Sequence, residues 1–108
     1  MRLQVSQIAL AAVAFVGFAS AREYAGCFNS PTNLQFNRTH PYQSRGLCGN
    51  LCDEANQPVM ALTKGTDCFC GQSAPPAEDA VADSLCDSPC SGFAMDMCGG
   101  EGFFSVFA

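Results

Sequence analysis

The sequence predicts a small disulfide-rich α+β domain, organised around the stretch from Cys48 to Gly71. This stretch opens with Cys48-x-x-x-Cys52 and closes with Cys68-Phe69-Cys70-Gly71. Residues four apart on a helix share a face and lie about 6 Å apart along its axis. Residues two apart in a strand also share a face, about 6.7 Å apart. Two parallel disulfides can therefore join a helix to a strand here, and spacing alone leaves the straight and the crossed pairings open.

The number of cysteines is even and fits a disulfide framework. The eight lie at positions 27, 48, 52, 68, 70, 86, 90 and 98. In a short secreted chain such a set indicates bridges, each worth about 2–4 kcal/mol. Structural zinc sites favour CxxC pairs or Cys with His. His40 is the only histidine, so neither a metal nor a cofactor is predicted.

The N-terminal residues 1–21 have the pattern of a secretory signal peptide. Arg2 precedes an apolar run from Ile8 to Phe18, and Ala19-Ser20-Ala21 fits a cleavage site. Residues 22–108 are then expected to form a single domain, secreted to the extracellular space or the cell wall. They contain no apolar run of transmembrane length and no tail of the GPI type, so no membrane anchor is expected.

The net charge of the full chain is −5 and becomes about −6 without Arg2. Such an acidic balance argues against nucleic acid or an anionic membrane surface as a partner. Nothing in the sequence indicates an obligate interface, and a monomer is expected.

The first half of the domain reads as strand, loop and helix. Residues 22–28 alternate as a strand does, and residues 29–44 are polar with two prolines, which predicts a loop. Asn37-Arg38-Thr39 in that loop is an N-glycosylation sequon. Ser44 is a candidate N-cap, followed by a helix that ends near Asn56. The apolar stripe of this helix is Leu47, Cys48, Leu51, Cys52 and Ala55.

The second half reads mainly as strands and loops. Residues 59–63 and 66–70 are predicted strands joined by a turn, and residues 71–83 an exposed loop with at most a short helical turn. Pro89 makes a helix between Cys86 and Cys90 unfavourable. A compact loop is expected from Cys90 to Cys98, and residues 103–107 should form the last strand.

The cysteine pattern and the segments around it resemble the WSC domain. The resemblance rests on Tyr24-Ala25-Gly26-Cys27-Phe28, the CxxxC, residues 65–71 (GTDCFCG), Cys86-x-x-Pro89-Cys90-Ser91-Gly92, Cys98-Gly99-Gly100 and Ser105-Val106-Phe107. It extends from Tyr24 to Phe107, and all eight cysteines keep the family's order.

The resemblance implies both a fold and a function. The fold is an antiparallel sheet crossed by one helix, akin to the PAN/apple type. The implied disulfides are Cys27–Cys86, Cys48–Cys68, Cys52–Cys70 and Cys90–Cys98. The implied function is non-catalytic binding of cell-wall polysaccharide, β-glucan or a similar fungal polymer.

The candidate carbohydrate-binding residues are aromatic, because sugar C–H groups pack on π-faces. Tyr42, Phe36, Phe93 and Phe69 are the candidates, with Asp67 to accept hydrogen bonds from hydroxyls. Most other aromatic residues are expected in the core, including Phe28 and one of Phe103 and Phe104.

An enzyme is not predicted, and no catalytic residue is assigned. The carboxylate pairs lie on solvated segments, and a glycosidase needs two placed carboxyls in a cleft. Two other functions remain open. The chain could be an effector that binds a protein target or inhibits a protease, or a haem- or iron-binding protein like the CFEM domain. The CFEM domain carries an adjacent Cys-Cys pair that this chain lacks.

Overall fold

The computed structural model of the protein describes residues 22–108. The predicted signal peptide, residues 1–21, lies outside the described residues. Within the described part, one α-helix and eight strands follow one another in the order β1 Tyr24–Phe28, β2 Leu34–Thr39, α1 Arg45–Glu54, β3 Val59–Thr63, β4 Asp67–Gly71, β5 Ala80–Val81, β6 Pro89–Cys90, β7 Phe93–Met97 and β8 Phe104–Phe107. Short 3₁₀ turns occupy Ala77–Asp79 and Asp83–Leu85.

Six strands form one antiparallel sheet in the order β2-β4-β3-β8-β1-β5. Strands β6 and β7 form a separate two-stranded hairpin. The helix packs on one face of the large sheet, against β3 and β4. The predicted fold class, a small disulfide-rich α+β domain with an antiparallel sheet crossed by one helix, is confirmed.

The helix begins where the sequence predicted. The Ser44 hydroxyl accepts a hydrogen bond from the Leu47 amide at 3.0 Å, which satisfies one of the free amides of the first turn. The helix ends at Glu54, and Asn56 takes a left-handed backbone conformation before Pro58. Ala55 of the predicted stripe is exposed, because it lies at the C-cap, beyond the turns that face the sheet.

The sheet has a core on each of its faces. On the helix side, Leu51 of α1 packs with Met60, Leu62 and Phe107 and with six buried cysteines. The opposite side, here called the outer face, carries Phe28, Leu34, Val59, Ala61 and Val106. Every residue of β3 is buried, because this central strand is covered on both faces.

Two of the four disulfides attach the helix to β4. Cys48–Cys68 and Cys52–Cys70 run straight rather than crossed, with Cα atoms 5.5 and 5.4 Å apart. The other two are Cys27–Cys86, which joins β1 to the segment before β6, and Cys90–Cys98, which closes the β6–β7 hairpin. These are the four pairs that the family resemblance implies. The sulfurs of Cys48, Cys52 and Cys68 lie within 4.8 Å of one another, but each is half of a disulfide and offers no thiolate to a metal.

Three segments predicted as loops contain strands. The shortest is Ala80–Val81, in the loop predicted for residues 71–83, which forms β5 by pairing with β1. Leu34–Thr39 forms β2, although only Leu34 in it is buried. Main-chain hydrogen bonds to β4 hold this polar segment at the edge of the sheet. Amino-acid composition alone does not predict such pairing. Phe93–Met97, expected in a compact loop, forms β7, because the Cys90–Cys98 bridge closes a hairpin there.

An ion pair ties the start of the described chain to the helix. The Arg22 guanidinium donates to Asp53 Oδ1 at 2.7 Å and to the Gln57 and Pro58 carbonyls at 2.9 Å each. The Arg22 side chain is almost fully buried. Asp53, which lies outside the apolar stripe of the helix, is therefore half-buried under Arg22.

Two glycines are required by close backbone approach. Gly99 has φ +72°, and a side chain there would meet the Leu62 and Phe103 carbonyls. A side chain at Gly92 would meet the Tyr42 carbonyl, and the Gly92 amide donates to the Gln43 carbonyl at 2.7 Å. Gln43 itself is fully buried, and its amide nitrogen donates to the Thr66 carbonyl. The segment before the helix is thus packed between β4 and the hairpin.

Removing individual disulfides should destabilise the domain in the order of the loops they close. Cys27–Cys86 and Cys90–Cys98 are separated by 59 and 8 residues. Loop-closure entropy then predicts a loss of about 4 kcal/mol for the C27A/C86A variant and about 2.5 kcal/mol for C90A/C98A. Urea unfolding of both variants under non-reducing conditions measures the two losses. A larger loss for C90A/C98A would contradict the entropic explanation.

Candidate functional site

Three phenylalanines form a row on the outer face of the sheet. The Phe36 and Phe69 rings meet edge to face, with centroids 5.6 Å apart, because the two residues are direct partners in the β2–β4 ladder. Phe69 and Phe104 meet in the same way at 5.4 Å, although β3 lies between their strands. Phe36 is 57% exposed, and the other two rings are partly buried. Phe36, Phe69 and Phe104 are called the aromatic strip below.

A carboxylate lies beside the aromatic strip. Asp67 is two residues before Phe69 on β4 and so shares its face. Its Oδ1 accepts hydrogen bonds from the Thr39 hydroxyl at 2.7 Å and the Thr66 hydroxyl at 3.1 Å. Within residues 22–108 its Oδ2 has no side-chain hydrogen-bond partner. The two hydrogen bonds hold the Asp67 carboxylate in place. Because a carboxylate has about four lone-pair sites, Asp67 can still accept hydrogen bonds from a ligand.

Three of the five predicted contact residues therefore lie together: Phe36, Phe69 and Asp67. Tyr42 and Phe93 form a separate group. Tyr42 precedes the helix, and its carbonyl lies against Gly92, next to Phe93 at the start of β7. Both side chains are well exposed. The Cys90–Cys98 disulfide of the hairpin that carries Phe93 packs in the helix-side core, so this group belongs to the other side of the domain.

A groove of about 300 Å³ opens on the helix side, between β7 and the ends of β1 and β8. Its aromatic residues are Tyr24 and Phe107, whose ring centroids are 5.4 Å apart. The guanidinium carbon of Arg45 lies 4.3 Å from the centroid of the Phe107 ring. The Tyr24 hydroxyl donates to Asp83 Oδ1 at 2.8 Å. This site is called the groove below.

The environment of Tyr24 raises the pKa of its hydroxyl from 10.0 to about 12. Partial burial is the largest cause, because it disfavours the phenolate. The hydrogen bond to Asp83 and the negative charge of that carboxylate raise the pKa further. The hydroxyl therefore stays protonated across the physiological range and remains a donor to Asp83.

Sequence reasoning did not identify Phe104, Tyr24 or Arg45 as surface residues of interest. One of Phe103 and Phe104 was expected in the core, and Phe104 is partly buried against the outer-face core. Its neighbour Phe103 is partly buried as well. Tyr24 and Arg45 converge only because β1 pairs with β8 and the helix crosses the sheet beside them. No spacing signal in the sequence connects residues 24, 45 and 107.

The fold and the cysteine framework agree with the comparison to known families. A model of the WSC domain matches residues 24–100. The chain therefore belongs to the WSC domain family.

Curated relatives come from fungi and animals. Protein SLG1 of Saccharomyces cerevisiae is 31% identical over 99% of this chain. Cell wall integrity and stress response component 3 of the same yeast is 32% identical over 93% of the chain. Xylosyltransferase oxt of Drosophila melanogaster is 29% identical over 78% of the chain.

The chain spans only a part of these relatives. It covers 28% of the first, 19% of the second and 10% of the third. The shared region is thus one domain of larger proteins. The name of the second relative refers to cell wall integrity and stress response, and the name of the third refers to a xylosyltransferase. Within residues 22–108, no helix is long and apolar enough to cross a membrane.

Tyr24 should titrate with a pKa near 12, and its ionisation should destabilise the fold. Because the folded state holds this proton more tightly than the unfolded state, stability is fully present below pH 10 and falls as the pH rises from 10 through 12. Ultraviolet absorbance of the phenolate during a rapid alkaline titration measures the pKa. In the D83N variant the pKa should fall but stay above 10.0, since burial is the larger cause. A D83N variant with an unchanged pKa would contradict the role given to Asp83.

Proposed function

We propose that the chain is a secreted, non-catalytic carbohydrate-binding domain for cell-wall polysaccharide, β-glucan or a similar fungal polymer. The observation that carries the proposal is the aromatic strip. Three rings in contact across β2, β4 and β8 present apolar surface at the outer face, next to a positioned carboxylate.

The chemistry of the strip suits a sugar chain. The C–H groups of a pyranose ring pack on aromatic faces, and its hydroxyls need hydrogen-bond acceptors and donors at the edge. Phe36 is the most exposed ring of the strip. Asp67 Oδ2 is an acceptor two residues along β4 from Phe69, the partner of Phe36. The sheet holds both residues by main-chain pairing, so little conformational freedom is lost on binding.

The relatives support a ligand in the cell wall. The name of one yeast relative refers to cell wall integrity and stress response, and that protein is 32% identical over 93% of this chain. Asp67 is the carboxylate beside the strip, whereas glycoside hydrolysis requires two facing carboxyl groups. The proposed role is therefore binding without turnover.

Secretion is part of the proposal. Four disulfides within a domain of this size are typical of proteins that fold in an oxidising compartment. We propose that residues 1–21 are removed as a signal peptide and that residues 22–108 form the mature domain. Arg22 then becomes the first residue, and its side chain is already fixed by Asp53.

Asn37 is proposed as an N-glycosylation site. It is exposed and forms the bulge of β2 between Phe36 and Arg38, at the open edge of the sheet. Expression in a eukaryotic secretory host should add mass that an N-glycosidase removes and that the N37Q variant lacks. Secreted protein with the unmodified peptide mass would contradict this assignment.

Alanine in place of Phe36 should weaken binding to insoluble polysaccharide. Losing one packed ring costs roughly 1.4 kcal/mol, which corresponds to about a tenfold loss of affinity. The measurement is a depletion isotherm of the oxidised protein on β-1,3-glucan, chitin, mannan and cellulose, with reduced protein as a control. F36A should show this loss of affinity on the polymer that retains the wild type. D67N should show a smaller loss of affinity on the same polymer.

Phe93→Ala is the matched control, because Phe93 is equally exposed but lies on the hairpin. Loss of binding in F93A or Y42A, with F36A unchanged, would move the site to the Tyr42–Phe93 group. No retention of the wild type on any polymer would overturn polysaccharide binding at the aromatic strip, on which the proposal rests.

A further inference from the structure

The groove and the aromatic strip lie on opposite faces of the same sheet. In the β3–β8 ladder Phe107 pairs with Met60 and Ser105 with Leu62, and these residues face the helix side. Phe104 and Val106 alternate with them and face outward. Strand β8 therefore contributes Phe104 to the strip and Phe107 to the groove. A ligand in one site cannot block the other.

The groove combines an exposed ring with flexible apolar side chains. Tyr24 is 48% exposed and lies against Phe107. Met95 and Met97 of β7 border the same space, and Met95 is 81% exposed. Such side chains adapt their shape to a ligand at little cost. A large exposed methionine beside a half-exposed tyrosine is apolar surface that the fold itself does not use.

Hydrogen-bond donors and acceptors both line the groove. The Arg45 side chain is 44% exposed, and within residues 22–108 its ion-pair partner is Asp96 at 4.0 Å, a loose contact. A guanidinium has five N–H donors, so most of them remain available. Asp83 accepts one hydrogen bond, from Tyr24, and keeps acceptor capacity. The groove thus offers donors and acceptors around an aromatic ring.

Size and charge limit what the groove can take. Its volume of about 300 Å³ is at the lower end of the range for small-molecule pockets. The groove is lined by one cation, Arg45, and two carboxylates, Asp83 and Asp96, so its net charge is negative and an anionic ligand would be repelled. A neutral ring with several hydroxyls matches the donors, the acceptors and the aromatic surface together.

We propose that the groove binds one terminal pyranose unit of a wall polysaccharide, so that a single domain holds two polysaccharide chains at once, one on each face of its sheet. This inference rests on the proposed function, since the ligand belongs to the same class. It adds a second binding site. As a consequence, one protein monomer can bridge two separate polysaccharide chains.

Methyl NMR of the methionines tests the groove directly. Residues 22–108 contain Met60, Met95 and Met97. The oxidised protein, labelled at the methionine methyls, is titrated with two probes, a β-1,3-linked glucose trisaccharide and a β-1,4-linked N-acetylglucosamine trisaccharide. The Met95 and Met97 signals should shift with one of them, while Met60, buried in the helix-side core, serves as the internal reference.

Two variants separate the two faces. Y24A should lower the trisaccharide affinity, measured from the methyl shifts, by about tenfold, as expected for the loss of one packed ring. M95E changes a highly exposed residue, so it should fold normally and also weaken the shifts by blocking the groove. F36A, on the opposite face, should leave the shifts unchanged while losing retention on the insoluble polymer.

Bridging is measured by immobilising the protein on the insoluble polymer and adding a fluorescent, soluble, branched glucan. The wild type should capture the soluble polymer, and M95E should be retained without capturing it. Retention of the wild type without methyl shifts or capture would overturn the groove site and leave the proposed function standing. Methyl shifts without retention would contradict the strip and leave the groove as the binding site.

Discussion

The two disulfides between the helix and β4 are the constraint on which the other features depend. Cys48–Cys68 and Cys52–Cys70 hold α1 against the sheet along two successive turns. Because strand residues alternate, fixing Cys68 and Cys70 toward the helix also fixes Asp67 and Phe69 toward the outer face. The carboxylate and the central ring of the strip are thus positioned by bonds on the other side of the sheet.

The strip also depends on a small residue in the central strand. Phe69 and Phe104 belong to strands separated by β3, and Ala61 of β3 pairs with Phe69 on one side and with Val106 on the other. Ala61 is fully buried, and its short side chain leaves room for the two rings to meet diagonally across β3. A larger residue at this position would separate the rings. Three phenylalanines that are far apart in the sequence become one surface for this reason.

The two proposed binding faces follow from the way the sheet is covered. The sheet is thin, with a helix on one side and no second helix on the other within residues 22–108. Its outer face can therefore present a row of rings, while the crossing of α1, β7 and β8 leaves a groove on the helix side. The two surfaces differ in shape, which is why a length of polysaccharide is proposed for the strip and a single ring for the groove.

The elements that could be predicted from the sequence are those with local signals. The Ser44 cap, the two inward-facing cysteines of the CxxxC helix and the bounds of β3 depend on side chains close in the chain, and the structure agrees with each. The resemblance to the WSC domain supplied the disulfide partners, which spacing left open. Strand β2 was missed because its hydrogen bonds come from β4, about thirty residues later, and its own residues are polar.

Which site residues lie together on one surface follows from the tertiary structure and not from the local sequence. Sequence reasoning selected Phe36, Phe69 and Asp67 together with Tyr42 and Phe93 as one set, and the sheet divides them between two sides of the domain. It also brings Tyr24, Arg45 and Phe107 into contact through long-range pairing. Residue type and local spacing predict which side chains can bind a sugar. Which of them share a surface depends on strand order and register, which are set by contacts between residues distant in the chain.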